Sequence, residues 1–70
     1  MIKRSLSFPG WRAAGTAPLD RNVEVLIAGD ARSYVLKFPC RRTEDGWINA
    51  IKSMRLAVEP THWREISLRA

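Results

Sequence analysis

Val23-Glu24-Val25-Leu26-Ile27-Ala28-Gly29-Asp30-Ala31-Arg32-Ser33-Tyr34-Val35-Leu36-Lys37-Phe38-Pro39 carries the clearest periodicity in the chain. Val23, Val25 and Ile27 are β-branched and recur at every second position, which is the pattern of a half-buried strand. Tyr34, Leu36 and Phe38 recur in the same way between Ser33, Val35 and Lys37. The residues between the runs, Gly29-Asp30-Ala31-Arg32, are turn formers. The whole therefore reads as a hairpin with long strands over 23–28 and 33–38. Pro39 closes the second strand because it has no N–H to give to a ladder.

Upstream of this hairpin, residues 1–10 alternate imperfectly through Ile2, Leu6 and Phe8 and stop at the turn signal Pro9-Gly10. They are expected to form an N-terminal arm or edge strand, with a single small β-domain over 11–68. Thr16-Ala17-Pro18-Leu19-Asp20-Arg21-Asn22 is rich in turn residues. Pro18 presets φ for a turn, and Asp20 or Asn22 can bond its own backbone.

Downstream, Arg41-Arg42-Thr43-Glu44-Asp45-Gly46 reads as a polar loop in which Gly46 supplies a positive φ before Trp47. The next segment has two readings. Trp47, Ala50, Ile51, Met54, Ala57 and Val58 match one face of a helix, which places a short helix around 50–57. Ile48 and Leu56 fall off that face and no good N-cap precedes Trp47, so the other reading is two strands, 47–50 and 55–58. The chain then enters a closing strand over 63–68 through the rigid Pro60-Thr61.

Seventy residues make one domain at most. A chain this short hides only about 60% of the surface its unfolded form exposes, so a staple or partner is expected to help it. A single cysteine, Cys40, forms no internal disulfide, and a reducing cytoplasm is the expected compartment. Met1-Ile2-Lys3-Arg4 has the charge of a signal-peptide start, but Ser5, Ser7, Pro9 and Gly10 interrupt any apolar core behind it. No stretch is long enough to cross a bilayer as a helix, so no membrane partner is expected.

Twelve Lys and Arg against seven Asp and Glu give a net charge of +5. Nine of the twelve are arginine, the residue best suited to bidentate contact with phosphate or carboxylate. Arg41-Arg42, with Arg32, Lys52 and Arg55 on nearby loops, is the candidate contact patch for a nucleic acid or another anion. Glu44 and Asp45 offset that charge locally, which favours an ordinary solvated loop.

Trp11, Thr16-Ala17-Pro18 and Asp20 at one end, Gly46-Trp47 in the middle, and Pro60-Thr61-His62-Trp63 at the other form an ordered set of landmarks. Together they resemble a family of very small proteins, catalogued as a domain of unknown function, common in phages, prophages and proteobacterial genomes. The resemblance covers residues 11–66. It implies a compact β-meander with Trp47 on a strand, which favours the hairpin over the helix at 47–58. Members usually carry a Gly-containing tight turn where this chain has Lys52-Ser53-Met54. The family brings no catalytic residues with it.

His62 is the sole histidine and the natural candidate for a general base or metal ligand. No serine or threonine stands in a nucleophile context, and the plainer reading is an imidazole that bonds backbone and packs beside an indole. Cys40 and His62 alone fall short of a zinc set. The three tryptophans invite base stacking, but indoles in so small a β-fold more often form its core.

These observations lead to a mainly β expectation: an antiparallel meander of four or five short strands, with a half-open barrel as its curled form. Its core draws on Trp11, Val25, Ile27, Tyr34, Leu36, Phe38, Trp47, Leu56 and Trp63. No enzyme, cofactor or metal is expected. The function expected is an accessory module that binds a protein partner or its own copy, with nucleic-acid binding as the alternative.

Overall fold

The computed structural model of the protein describes residues 8–66. The fold is mainly β, as the alternating pattern requires: among the described residues seven short strands form one antiparallel sheet, and the one helical element is a 3-10 turn at Ala14–Thr16. The strands are β1 (Arg12–Ala13), β2 (Asn22–Ala28), β3 (Ser33–Val35), β4 (Cys40–Thr43), β5 (Gly46–Asn49), β6 (Met54–Arg55) and β7 (His62–Arg64). Their order is β1-β7-β2-β4-β5-β6, with β3 also paired to β2. The sheet is thus an open path with β1 and β6 at its ends, and has more strands than the four or five expected.

β2 is the centre. β7 lies along one edge, and β3 and β4 follow one another along the other. The predicted hairpin is present, with a four-residue turn between the partners Ala28 and Ser33. Its second arm ends at Val35, well before Phe38. From Leu26 to Val23 the chain moves three residues along β2, while the partner advances five, from Val35 to Cys40. Two extra residues therefore bow out as a wide bulge. Because the insertion is even, β4 resumes pairing with the same faces presented as β3. Leu36 still donates its N–H to the Val25 carbonyl at 3.2 Å, after which Lys37, Phe38 and Pro39 leave the ladder.

Cross-strand partners share a face, so the register sorts every side chain. One face carries Val23, Val25, Cys40, Trp47 and Trp63, which with Ala17 form the buried cluster. Trp47 on β5 and Trp63 on β7 are separated by β2 and β4. Val23, Val25 and Cys40 fill the space between them. Leu36, Phe38 and Leu56 pack on the margin, partly buried.

The expected core differs in detail. Trp11 and Ile27 are only half-buried, and Tyr34, at the far end of the hairpin, is 46% exposed. Ala17, Val23, Leu26 and Cys40, none of them expected in the core, are buried. Leu26 has the opposite parity to Val25 and is buried on the other face, beside its cross-strand partners His62 and Val35.

Residues 47–58 form a hairpin and no helix. Trp47 sits on β5, whose partner β6 spans Met54–Arg55 where 55–58 was expected. The helical spacing survives as a single turn: Asn49 Oδ1 accepts the N–H groups of Ile51 and Lys52, and Ser53 N–H reaches the Asn49 carbonyl at 2.7 Å. Ser53 then takes a left-handed φ of 57°, which stops the helix and turns the chain back. The other expected turns hold. Gly46 has φ 125°, and Gly10 has φ 86° in a turn closed by Trp11 N–H on the Phe8 carbonyl. Residues 1–7 of the expected N-terminal arm, and the last two residues of the closing strand expected over 63–68, lie outside the described residues.

Candidate functional site

The landmark residues at the two ends of the sequence meet each other. Trp63 Nε1–H donates to Thr16 Oγ1 at 3.0 Å, and that hydroxyl donates to the Ala13 carbonyl at 2.6 Å. Thr61 does more. Its hydroxyl accepts the Ala28 N–H at 2.9 Å and lies 3.0 Å from the Leu26 carbonyl, while its own backbone bonds Leu26 and Ala14. Pro60 is buried beneath it. Asp20 adopts φ 58° and gives its N–H to the Arg42 carbonyl. Trp11, Thr16, Pro18, Asp20, Pro60, Thr61, His62 and Trp63 therefore lie around the chain's closure, where the loop 14–20 and β7 lock onto β2, while Trp47 stands apart on β5 and joins them only through the buried core.

His62 Nδ1 lies 2.9 Å from Thr61 Oγ1, and its ring packs at 4.9 Å against Phe8, tilted by 59°. The expectation of a backbone bond and an indole neighbour is corrected to a hydroxyl and a phenyl ring. Cys40 pairs with Val23 and faces the core, whereas His62 pairs with Leu26 and faces outward. The two potential ligands thus lie on opposite faces. Among the described residues no three His, Cys, Asp or Glu side chains come together as a metal site. Burial pushes the Cys40 thiol up from 9.0 to about 11, which keeps it protonated and unreactive at neutral pH.

The five predicted anion-contact residues do not gather on one loop. Arg41 and Arg42 are neighbours on β4, and so point to opposite faces. Arg42 turns to the core side, where its guanidinium donates to the Ala17 carbonyl at 2.7 Å and holds the loop 14–20 in place. Arg32 sits in the turn after β2, roughly 17 Å along the sheet from the Val23–Cys40 pair. Lys52 is in the turn before β6. Arg41 and Arg55, however, come onto one face. A single cross-strand row runs Arg55, Ile48, Arg41, Asn22 over β6, β5, β4 and β2.

This outer face carries what sequence reasoning missed. Where Lys37, Phe38 and Pro39 bow away from β2, a hollow of about 490 Å³ opens over Glu24, lined also by Val35, Leu36 and Ile66. Its walls are mostly apolar, and its charged residues are Glu24 and Lys37. Glu24 is tied to Arg64 directly opposite on β7 at 2.6 Å, and the Arg64 guanidinium stacks on Trp11 at 4.1 Å. The one sequence signal for the hollow was Pro39 following an alternating run, which breaks pairing without telling where the chain goes. A smaller cleft of about 220 Å³ lies between Arg12, Trp63, Arg64 and Glu65, but Arg64 is already engaged by Glu24 and Trp11.

Comparison with family models, with curated proteins and with solved structures found no match to this chain. No helix among the described residues is long and apolar enough to cross a membrane.

Proposed function

We propose that this protein is a non-enzymatic interaction module that binds a protein partner through the outer face of its sheet. The observation that carries the proposal is the apolar hollow over Glu24, on a face that also carries Arg41, Arg55 and the Glu24–Arg64 pair. The landmark side chains support it from the other direction. Thr16, Thr61 and Trp63 spend their polar atoms on one another and on backbone, which makes them parts of the scaffold. A phage or prophage origin, implied by the resemblance, and a reducing cytoplasm, suited to the buried thiol of Cys40, belong to the same proposal.

Two readings compete with it. Self-association would gain burial for a small domain, but an isologous contact on this face would bring the patch that holds Arg41 and Arg55 onto a copy of the same cationic patch. Nucleic-acid binding is favoured by the row that holds Arg41 and Arg55.

The test is a pull-down from host lysate beside light scattering of the free protein. A protein captured by the wild type and lost with the hollow-lining substitution Val35→Asp, at an exposed position outside the core cluster, in a variant whose circular dichroism is unchanged, is the expected result. Turnover of a substrate that disappears on His62→Ala while the fold survives would overturn it.

A further inference from the structure

We infer that the partner presents an acidic, extended segment whose apolar residue seats in the hollow while its carboxylates meet Arg41 and Arg55. This rests on the protein-binding reading above and names the chemistry of that same face.

Among the described residues the ion pairs are Arg21–Glu65 and Arg64–Glu24. Arg41 instead donates its Nε–H to the neutral Asn22 Oδ1 at 2.9 Å, and Arg55 donates to the Asp45 backbone carbonyl. Both guanidiniums are therefore held in place by neutral acceptors and keep their full charge. Their backbone positions lie two strand spacings, about 10 Å, apart on one face with the half-buried Ile48 between them; from there the Arg41 side chain reaches towards β2 and the Arg55 side chain towards the β4–β5 turn. Lys37 brings a third cation to the hollow, and the chain's net charge of +5 adds long-range attraction for an acidic partner.

The aromatic residues decide between a peptide and a single-stranded nucleic acid. A base-stacking platform needs bare ring faces. Trp47 and Trp63 are buried in the core, the Trp11 ring carries the Arg64 guanidinium, and Phe8 packs on His62. The exposed Tyr34 pairs with Ile27 and so belongs to the opposite face. Phe38, the one ring that lines the hollow, is half-buried against the core margin. The outer face thus offers cations beside a mostly aliphatic hollow with no run of bare rings, which suits a carboxylate-rich segment with one apolar anchor.

The experiment is fluorescence anisotropy with a fluorescein-labelled peptide that alternates Asp and Glu around two central leucines. Binding should weaken roughly tenfold in the Arg41→Ala, Arg55→Ala double variant and roughly tenfold when the leucines become serine. It should also weaken as salt rises, and Lys37→Glu, on an exposed side chain, should reproduce part of the loss without touching the core. Arg32→Ala, in the distant turn, should leave it unchanged. Undiminished binding in the double variant, tighter binding of an oligothymidylate of equal charge, or no peptide binding at low salt each overturn the inference. A photo-cross-linker at position 38 separates the two levels. If the peptide fails but the cross-linker captures a partner lacking acidic segments, the acidic-segment inference falls and the protein-binding reading stands; if it captures nothing, both fall.

Discussion

The β1–β7–β2 end of the sheet is fastened by side chains that reach across the whole sequence, whereas the outermost strand at the other end, β6, is held by backbone pairing to β5 and by the turn between them. At the first end, Thr16 meets Trp63 and Thr61 grips both ends of the Leu26–Ala28 segment. At the second, Asn49 organises the turn, Leu56 N–H returns to the Trp47 carbonyl, and Ile51 and Met54 stand 69% and 61% exposed. Short strands of two or three residues are marginal alone. Where they are pinned by long-range polar contacts over a buried indole, they become part of the global fold; where only a turn holds them, they fray more cheaply.

The sharpest way to break that contrast is Trp63→Ala. Removing a buried indole costs about 3–5 kcal/mol, most of the stability a domain of this size has. Chemical denaturation should find the variant largely unfolded, and a folded one would show that the closure at this end is not what holds the sheet.

Cys40 joins the two ends, pairing with Val23 on one side and Asn49 on the other. Its folded-state pKa lies near 11 against an ordinary 9.0, so the native state holds the thiol proton more tightly than the unfolded chain. The resulting stabilisation is complete below pH 9 and is lost as pH rises towards about 11, with a limit of about 2–3 kcal/mol. Urea midpoints measured between these pH values should fall for the wild type and fall less for Cys40→Ala.

Thr61→Val keeps the shape of the side chain and deletes the hydroxyl. It leaves the Ala28 N–H without its partner and should cost about 1–2 kcal/mol, with hydrogen exchange faster at Ala28. Unchanged exchange there would mean that the backbone bonds of Thr61 suffice. At the opposite end, Ser53→Gly relieves a left-handed residue and should gain about 0.5–1 kcal/mol. Its effect should be confined to exchange rates in β5 and β6; a gain spread over β2 and β7 would show that the two ends are more tightly coupled than their contacts imply.

Much of the fold was legible because it is written in local periodicity and turn chemistry. Val23, Val25 and Ile27 announce β2, and Gly46 and Pro9-Gly10 announce their turns. The fork at 47–58 was not resolved by periodicity, since Asn49 builds one true helical turn before Ser53 ends it. Placing Arg41 and Arg42 together on a loop failed for a simple reason. Their charge suggested a loop, but cross-strand pairing to Trp47 and Ile48 made them strand residues with opposed side chains.

Composition and spacing by themselves determined a small β protein with its indoles mainly in the core and an uncompensated positive charge. It takes the folded chain to show that β3 and β4 share one edge of β2 with two residues bowed out between them, which opens the hollow and places Arg41 and Arg55 on one face. The physical reason is that alternation is a property of neighbouring residues, whereas register between distant strands depends on contacts that no local pattern encodes.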